Sequence, residues 1–299
     1  MGHDHQHDTR SASARALVVA LALTAVYTVV EVVGGVFTDS LALLADAVHM
    51  LSDNVALALA LFALWLARRP STPERTYGYK RAEVLAALAN GVTLVALAIW
   101  IFYEAIQRLS DPPDVLGGWM LAIALAGIAV NVAAGVVLHR ARGANLNVEA
   151  AFRHVVADLA GSVGVAVAAL VIVLTGWLQA DALVSLAIGV LVLASSWSIL
   201  RDSTSILLEA APKGLDTRAV GKALTAHPGV VEVHDLHVWT ITSGFPALSA
   251  HVLVGRGEDC HGTRRELERE LAVRFGIEHT TLQVDHVGEQ GGLVELGRF

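Results

Sequence analysis

Two stretches of the sequence place a histidine and an aspartate four residues apart in apolar surroundings. LLADAVHMLSDN contains His49 and Asp53, and AAFRHVVADLAGS contains His154 and Asp158. On an α-helix, residues i and i+4 lie on nearly the same face, about 6 Å apart along the axis. Two such helices can therefore bring two imidazoles and two carboxylates to one point. This set of nitrogen and oxygen ligands suits tetrahedral Zn²⁺.

The alternative is that these are isolated polar residues whose hydrogen bonds are satisfied within a helix bundle. An ionised side chain near the centre of a bilayer costs at least about 2.5–3.5 kcal/mol, so such residues are usually functional. The repetition of the pair on two helices favours a shared metal site. The absence of thiolates argues against Cu(I), and the presence of imidazole argues against Ca²⁺ and Mg²⁺.

A third acidic residue, Asp46, shares the face of His49 and Asp53, since it lies three residues before His49. Two roles are open for it. It is expected either to orient His49 through a hydrogen bond, or to be a buried hydrogen-bond partner with no role in transport.

The elements that must position these residues are long apolar segments. The 299-residue chain is 55% hydrophobic and only 16% charged. Six segments are long enough to cross a bilayer, which requires about 20 residues. They cover 14–36, 41–67, 83–108, 116–139, 150–175 and 182–208. The sequence therefore predicts a polytopic α-helical membrane protein with six transmembrane helices.

Positive charge is concentrated in the connections that follow the second and fourth segments. The residues concerned are Arg68, Arg69, Arg75, Lys80, Arg81, Arg140, Arg142 and Arg153. The opposite connections carry little positive charge, so the positive-inside rule predicts that both termini are cytoplasmic. The formal net charge of −7 includes no basic cluster of the kind that binds nucleic acid.

The composition changes after residue 208. LEAAPKGLD is typical of a linker, and the segments beyond it alternate in the order α-β-β-α-β. This order predicts a small ferredoxin-like α+β domain. We expect four regions: a His-rich cytoplasmic tail, the six-helix domain, a cytoplasmic domain and a C-terminal tail, over 1–12, 13–208, 209–286 and 287–299.

Four motifs together resemble the cation diffusion facilitator family, in its zinc-exporting branch. They are LADAVHMLSD, TYGYKRAEVLAALAN, LNVEAAFRHVVADLAGSVGV and LLEAAPKGLD. The resemblance implies a homodimer in the lipid of the inner membrane with a metallochaperone-like cytoplasmic domain. It implies exchange of Zn²⁺ for H⁺ by alternating access, without enzymatic activity or an organic cofactor. By position, it implies that the transported ion is held by His49, Asp53, His154 and Asp158.

The resemblance also implies two further groups of functional residues. A regulatory zinc site in the cytoplasmic domain would involve His234, His251, His261 and Asp285. The alternative is that these histidines are ordinary solvated or structural residues. Arg81 and Glu209 match a charged interlock near the dimer interface, and the alternative is that both face cytoplasmic water.

Two other functions compete with zinc export. A membrane-bound zinc enzyme would need an open metal position beside a base, as in HExxH, and the sequence contains no HExxH. A metal sensor that acts through the cytoplasmic domain would leave the ligands in the second and fifth segments unexplained. The sequence leaves the metal open among Zn²⁺, Cd²⁺, Co²⁺ and Ni²⁺.

Overall fold

A computed structural model of the chain describes residues 4–67, 69–141 and 146–288. Arg68 and Arg142 lie outside these ranges, as do residues 289–299 of the predicted C-terminal tail. In the predicted N-terminal tail, only the backbone is described, from Asp4 onward. The described chain divides into two compact units, Met1–Leu61 with Ala89–Leu200, and Phe62–Leu88 with Arg201–Phe299.

Six long helices make up the N-terminal part of the chain. They are α1 (Asp4–Thr38), α2 (Leu41–Ala67), α3 (Ala82–Ser110), α4 (Gly117–Arg140), α5 (Leu146–Thr175) and α6 (Gln179–Leu207). Among the described residues, all except α2 contain a segment that is long and apolar enough to cross a membrane. The 27 residues of α2 span about 40 Å at 1.5 Å per residue, which is also a sufficient length.

Small residues allow the membrane helices to approach one another closely. The core of the bundle contains many buried alanines, and two glycines face polar side chains of neighbouring helices. A Cβ atom on Gly127 of α4 would lie 2.2 Å from Tyr27 Oη, and one on Gly161 of α5 would lie 2.8 Å from Asp46 Oδ1. Glycine at these two positions therefore makes room for polar groups inside the bundle.

The start of α2 is capped by a residue of another helix. Asp181, in the first turn of α6, accepts a hydrogen bond from Ser40 Oγ at 2.6 Å. It also accepts hydrogen bonds from the backbone nitrogens of Leu41 and Ala42 at 2.8 and 3.2 Å. Because the first N–H groups of a helix have no partner within the helix, Asp181 supplies the missing acceptor. The starts of α2 and α6 therefore lie together, at the opposite end of α6 from the linker.

The C-terminal elements form a two-layer α+β domain, as the sequence predicts. Their order is α7 (Thr217–Ala226), β1 (Val230–Thr242), β2 (Phe245–Val254), α8 (Cys260–Phe275) and β3 (His279–His286). In the sheet, β2 lies between β1 and β3, antiparallel to β1 and parallel to β3. The two helices pack on the sheet through a core of Val220, Leu224, Val238, Leu248, Ala250, Val252, Leu267 and Leu271.

Aspartate side chains begin both helices of this domain. Asp216 accepts from the backbone nitrogen of Arg218 at the start of α7, and Asp259 accepts from that of His261 at the start of α8. Hydrogen bonds from the backbone N–H groups of Gly262 and His261 lower the pKa of Asp259, since they stabilise the carboxylate form.

The connection between α2 and α3 packs against the sheet of the α+β domain, within the second compact unit. The ammonium group of Lys80 lies 3.7 Å from the centroid of the Phe245 ring. Thr242 Oγ1, at the end of β1, donates to Glu83 Oε2 at 3.0 Å. The hydrogen-bonded residues Glu83 and Thr242 are 159 positions apart in the sequence, so this packing joins distant segments of the chain.

Replacing Asp181 by alanine should destabilise the helix bundle. The change leaves Ser40 and two backbone N–H groups without their acceptor, at a cost of about 1–3 kcal/mol per buried group. We expect a lower midpoint of thermal denaturation in detergent, and a smaller decrease for Asp181→Asn. Asp114→Ala, in the exposed connection between α3 and α4, is the control. Equal midpoints for Asp181→Ala and this control would contradict the capping role.

Candidate metal centre

The four side chains that the sequence predicts as ligands meet between α2 and α5. His154 Nε2 lies 3.2 Å from Asp53 Oδ2 and 3.6 Å from Asp158 Oδ2. His49 Nε2 lies 3.7 Å from Asp158 Oδ1, and His49 Nδ1 lies 4.0 Å from Asp53 Oδ2. Ligand atoms around a tetrahedral zinc ion are about 3.3 Å apart when each bond is about 2.0 Å long. The two distances from His154 are close to this value, whereas the two from His49 are longer and start from different ring nitrogens.

Three of the four form a compact group on their own. One ligand atom from each of His49, Asp53 and Asp158 lies within 4.8 Å of the other two. Over the part of the chain that the structure describes, this is the only group of three or more such residues. The imidazole of His154 extends the group, with a ring centroid 6.3 Å from that of His49.

A cavity reaches these side chains from one end of the bundle. Its volume is about 480 Å³, and its lining includes Asp53, His154 and Asp158. The cavity also touches Leu17, at the start of the apolar part of α1, and Leu138, near the end of α4. Asp158 is only 4% exposed, whereas His154 is 45% exposed. Of these two lining residues, His154 is therefore the more accessible and Asp158 the more deeply buried.

On the other side of the four side chains lies a buried polar network. Ser162 Oγ is 3.4 Å from Asp46 Oδ2 and donates to it, and Asn131 Nδ2 donates to Ser162 Oγ at 3.1 Å. Asp46 also meets the carboxyl group of Glu31. No hydrogen bond between Asp46 and His49 occurs in the described structure. The network joins α1, α2, α4 and α5 one turn away from the candidate ligands.

Sequence reasoning did not single out several of the polar residues that hold the helices of the bundle together. They are Tyr27, Asn131, Ser162 and Asp181, all within apolar helices. The signal that could have found Ser162 is its spacing, since it follows Asp158 by four residues and so lies on the same helix face. The role of Asp181 carries no local signal, because its partners are about 140 residues away in the sequence.

Two of the four predicted residues of the cytoplasmic site lie together. His234 on β1 and His251 on β2 are cross-strand partners, with ring centroids 5.4 Å apart. Asp285 on β3 accepts a hydrogen bond from Gln283 at 2.8 Å. His261 is in the first turn of α8, beyond the capping Asp259. In this protomer the described residues do not bring all four into one close ligand group.

The predicted interlock residues form an ion pair within the second compact unit. Arg81 Nη2 donates to Glu209 Oε1 at 2.9 Å, and both side chains are well exposed. Exposed pairs of this kind contribute about 0–1 kcal/mol, so this pair adds little to the stability of the fold.

Two family models together match nearly the whole chain. Residues 17–208 match the "Cation efflux transmembrane domain", and residues 212–287 match the "Cation efflux protein, cytoplasmic domain". The chain belongs to the cation efflux family. This membership confirms the predicted resemblance, the multi-pass architecture with a cytoplasmic C-terminal domain, and the prediction of a transporter rather than an enzyme.

Several members of the cation efflux family are similar over most of their length. The metal cation efflux system protein CzcD of Cupriavidus metallidurans is 42% identical over 286 residues, which cover 95% of this chain and 90% of that protein. The zinc transporter ZitB of Escherichia coli is 42% identical over 292 residues, covering 96% and 93%. A cadmium, cobalt and zinc/H(+)-K(+) antiporter of Bacillus velezensis is 39% identical over 290 residues, covering 95% and 92%.

Removing one candidate ligand should weaken metal binding strongly. We expect Asp158→Ala to lower the affinity of the purified protein for Zn²⁺ by at least about 100-fold, because even residues that only support ligands are worth 10–100-fold. Isothermal titration measures the affinity, with His234 and His251 replaced by alanine in every sample so that the membrane site dominates. Asp111→Ala is a matched aspartate control outside the site, and an affinity loss equal in both variants would count against Asp158 as a ligand.

Proposed function

We propose that the protein exports Zn²⁺ from the cytoplasm across the inner membrane in exchange for protons, by alternating access. The observation that carries this proposal is the convergence of two imidazoles and two carboxylates from α2 and α5, in which each imidazole lies within 4.0 Å of both carboxylates. The names of two relatives, a zinc transporter and a cadmium, cobalt and zinc/H(+)-K(+) antiporter, support zinc as substrate and proton as a counter-ion. Other divalent ions, such as Cd²⁺ and Co²⁺, are further candidate substrates.

Protons can release the metal because both compete for the same groups. Zinc binds neutral histidine and ionised aspartate, so metal binding expels protons and protonation expels metal. Free histidine titrates near pH 6.5, so a modest difference in pH between the two sides shifts this competition. A site of two histidines and two aspartates can thus bind zinc at cytoplasmic pH and lose it where protons are more abundant.

The membrane potential explains why export requires a counter-ion. Moving one charge across 100 mV is worth about 2.3 kcal/mol, so moving Zn²⁺ out of a negative interior costs about 4.6 kcal/mol. One entering proton offsets about half of this, and the pH gradient or the metal gradient supplies the rest. A simple pore would tend to admit zinc, and coupling to protons reverses this direction.

The proposed orientation places both termini in the cytoplasm. The cavity reaches the ligands from the end of the bundle near the start of α1 and the end of α4. Under this orientation the cavity opens to the cytoplasm, and the described conformation is the one that loads zinc. The same orientation assigns the basic connection that includes Arg69, Arg75 and Lys80 to the cytoplasm, as the positive-inside rule requires.

We further propose that the protein is a homodimer whose cytoplasmic domain responds to zinc. The match to the cytoplasmic domain of cation efflux proteins supports this role. The His234–His251 pair offers two nitrogens, and His261 and Asp285 would complete the site when a metal draws these elements together. The Arg81–Glu209 ion pair would act as an interlock that opens or closes during the transport cycle.

In liposomes, zinc flux should require proton counterflow. With the purified protein reconstituted and counter-ions controlled, we expect Zn²⁺ uptake to be matched by proton efflux, which makes the lumen alkaline. A zinc-sensitive dye and a pH-sensitive dye inside the vesicles measure the two fluxes together. Zinc flux that leaves the internal pH unchanged would contradict proton exchange.

Loss of one imidazole should abolish transport without unfolding the protein. We expect His154→Ala to reduce zinc flux to the level of empty liposomes, because the site loses a ligand and one of the two imidazoles at which protons would compete with the metal. Size-exclusion chromatography should still show a folded dimer. His139→Ala, at the exposed end of α4, is the matched control and should retain flux. Retained flux in His154→Ala would remove His154 from the transport site.

A further inference from the structure

Two carboxyl groups outside the proposed ligand set meet inside the bundle. Glu31 of α1 is 0% exposed and Asp46 of α2 is 1% exposed. The two carboxyl groups are in hydrogen-bonding contact. An ionised carboxylate can only accept hydrogen bonds, so two ionised carboxylates cannot bond to each other. This contact therefore requires a proton on one of the two groups.

The hydrogen bonds around Glu31 and Asp46 also favour a proton on one of the two carboxyl groups. Tyr27 Oη donates to Glu31 Oε1 at 3.0 Å, and Ser162 donates to Asp46. No described donor reaches Glu31 Oε2, which is buried. A protonated Glu31 carries a donor that Asp46 can accept, whereas an ionised Glu31 would keep a buried carboxylate oxygen without a donor in an apolar bundle.

No fixed positive charge compensates the pair. The titratable groups that act on Glu31 are Tyr27 on its own helix, Asp46 on α2 and Asp158 on α5. Those that act on Asp46 are Glu31, Asp158 and His49. Neither set contains a lysine or an arginine, and two adjacent negative charges without such a partner are strongly disfavoured in a membrane interior.

The pair is close to the candidate zinc ligands but on their far side from the cavity. Asp46 precedes His49 by three residues, about 4.5 Å along the helix axis. The cavity touches Met50, Asp53 and Asn54, which follow His49 along α2 towards its end. Asp46 precedes His49, towards the start of α2, where Asp181 caps the helix. Under the proposed orientation, the pair therefore lies between the zinc ligands and the outer surface.

We propose that the Glu31–Asp46 pair is a proton-binding site of the transport cycle, separate from the zinc ligands. It holds one proton in the described conformation and loses it when zinc occupies the neighbouring ligands. In that step the carboxyl O–H bond breaks, the proton passes to water, and the pair gains one negative charge opposite the incoming cation. After zinc leaves, a proton from the outer side restores the pair. This inference rests on the proposed exchange of zinc for protons.

The test counts the protons released as zinc binds. The full-length protein in detergent is titrated with Zn²⁺ in a weakly buffered solution containing a pH-sensitive dye. We expect Glu31→Gln to bind zinc, since the four ligands are unchanged, and to release about one proton fewer per zinc than the unmodified protein. Glu104→Gln, in α3, is the matched control and should release the same number as the unmodified protein.

Infrared difference spectroscopy provides a second measurement on the same samples. The metal-free protein should show the carbonyl band of a protonated carboxylic acid, and zinc should remove it. The band should be absent from Glu31→Gln and from Asp46→Asn, since loss of either carboxyl group abolishes the shared proton. Asp46→Asn serves as the second variant if Glu31→Gln does not fold.

The outcomes separate this inference from the proposed function. If the unmodified protein releases no protons and moves zinc without proton flux, the proposed exchange fails and this inference fails with it. If the unmodified protein exchanges zinc for protons but Glu31→Gln and Asp46→Asn release the same number, only the proton role of this pair is overturned. A carboxylic acid band that persists in both variants would likewise overturn only the proton role of this pair.

Discussion

The structure depends on the convergence of ionisable side chains from α2 and α5 in a bundle that is otherwise apolar. Each such side chain is costly in a membrane interior unless it meets a partner, and here each imidazole lies within 4 Å of a carboxylate. Two of the carboxylate oxygens, Asp53 Oδ2 and Asp158 Oδ1, are nevertheless buried without a hydrogen-bond partner among the described residues. A cation bound between the two helices would supply the missing partner for both oxygens. The groups that are costly without metal are thus the ones that would bind it.

The remaining polar groups of the bundle keep these two helices in place. Asp181 fixes the start of α2, five residues before Asp46. Gly161 allows α5 to approach Asp46, and Ser162 then links the two helices by a hydrogen bond. Residues outside the proposed ligand set therefore determine the positions of the ligands.

Much of this arrangement can be predicted from the sequence, because its signals are local. Apolar segments of sufficient length predict the helices, and the repeated His-x-x-x-Asp spacing predicts which side chains share a helix face. The contacts of Asp181 with α2, of Asn131 with Ser162 and of Lys80 with Phe245 could not be predicted. They join residues far apart in the chain, so their partners are set by packing rather than by any pattern in one segment. The pairing of His234 with His251 likewise depends on strand register.

The most direct test of the account is X-ray absorption spectroscopy at the zinc edge, on the full-length protein loaded with one Zn²⁺ and lacking His234 and His251. The account predicts four nitrogen and oxygen ligands at about 2.0–2.1 Å, with the outer-shell scattering of two imidazoles. Replacing His49 or His154 should reduce that scattering to one imidazole. A six-coordinate oxygen environment, or a spectrum unaffected by both replacements, would contradict a shared site between α2 and α5.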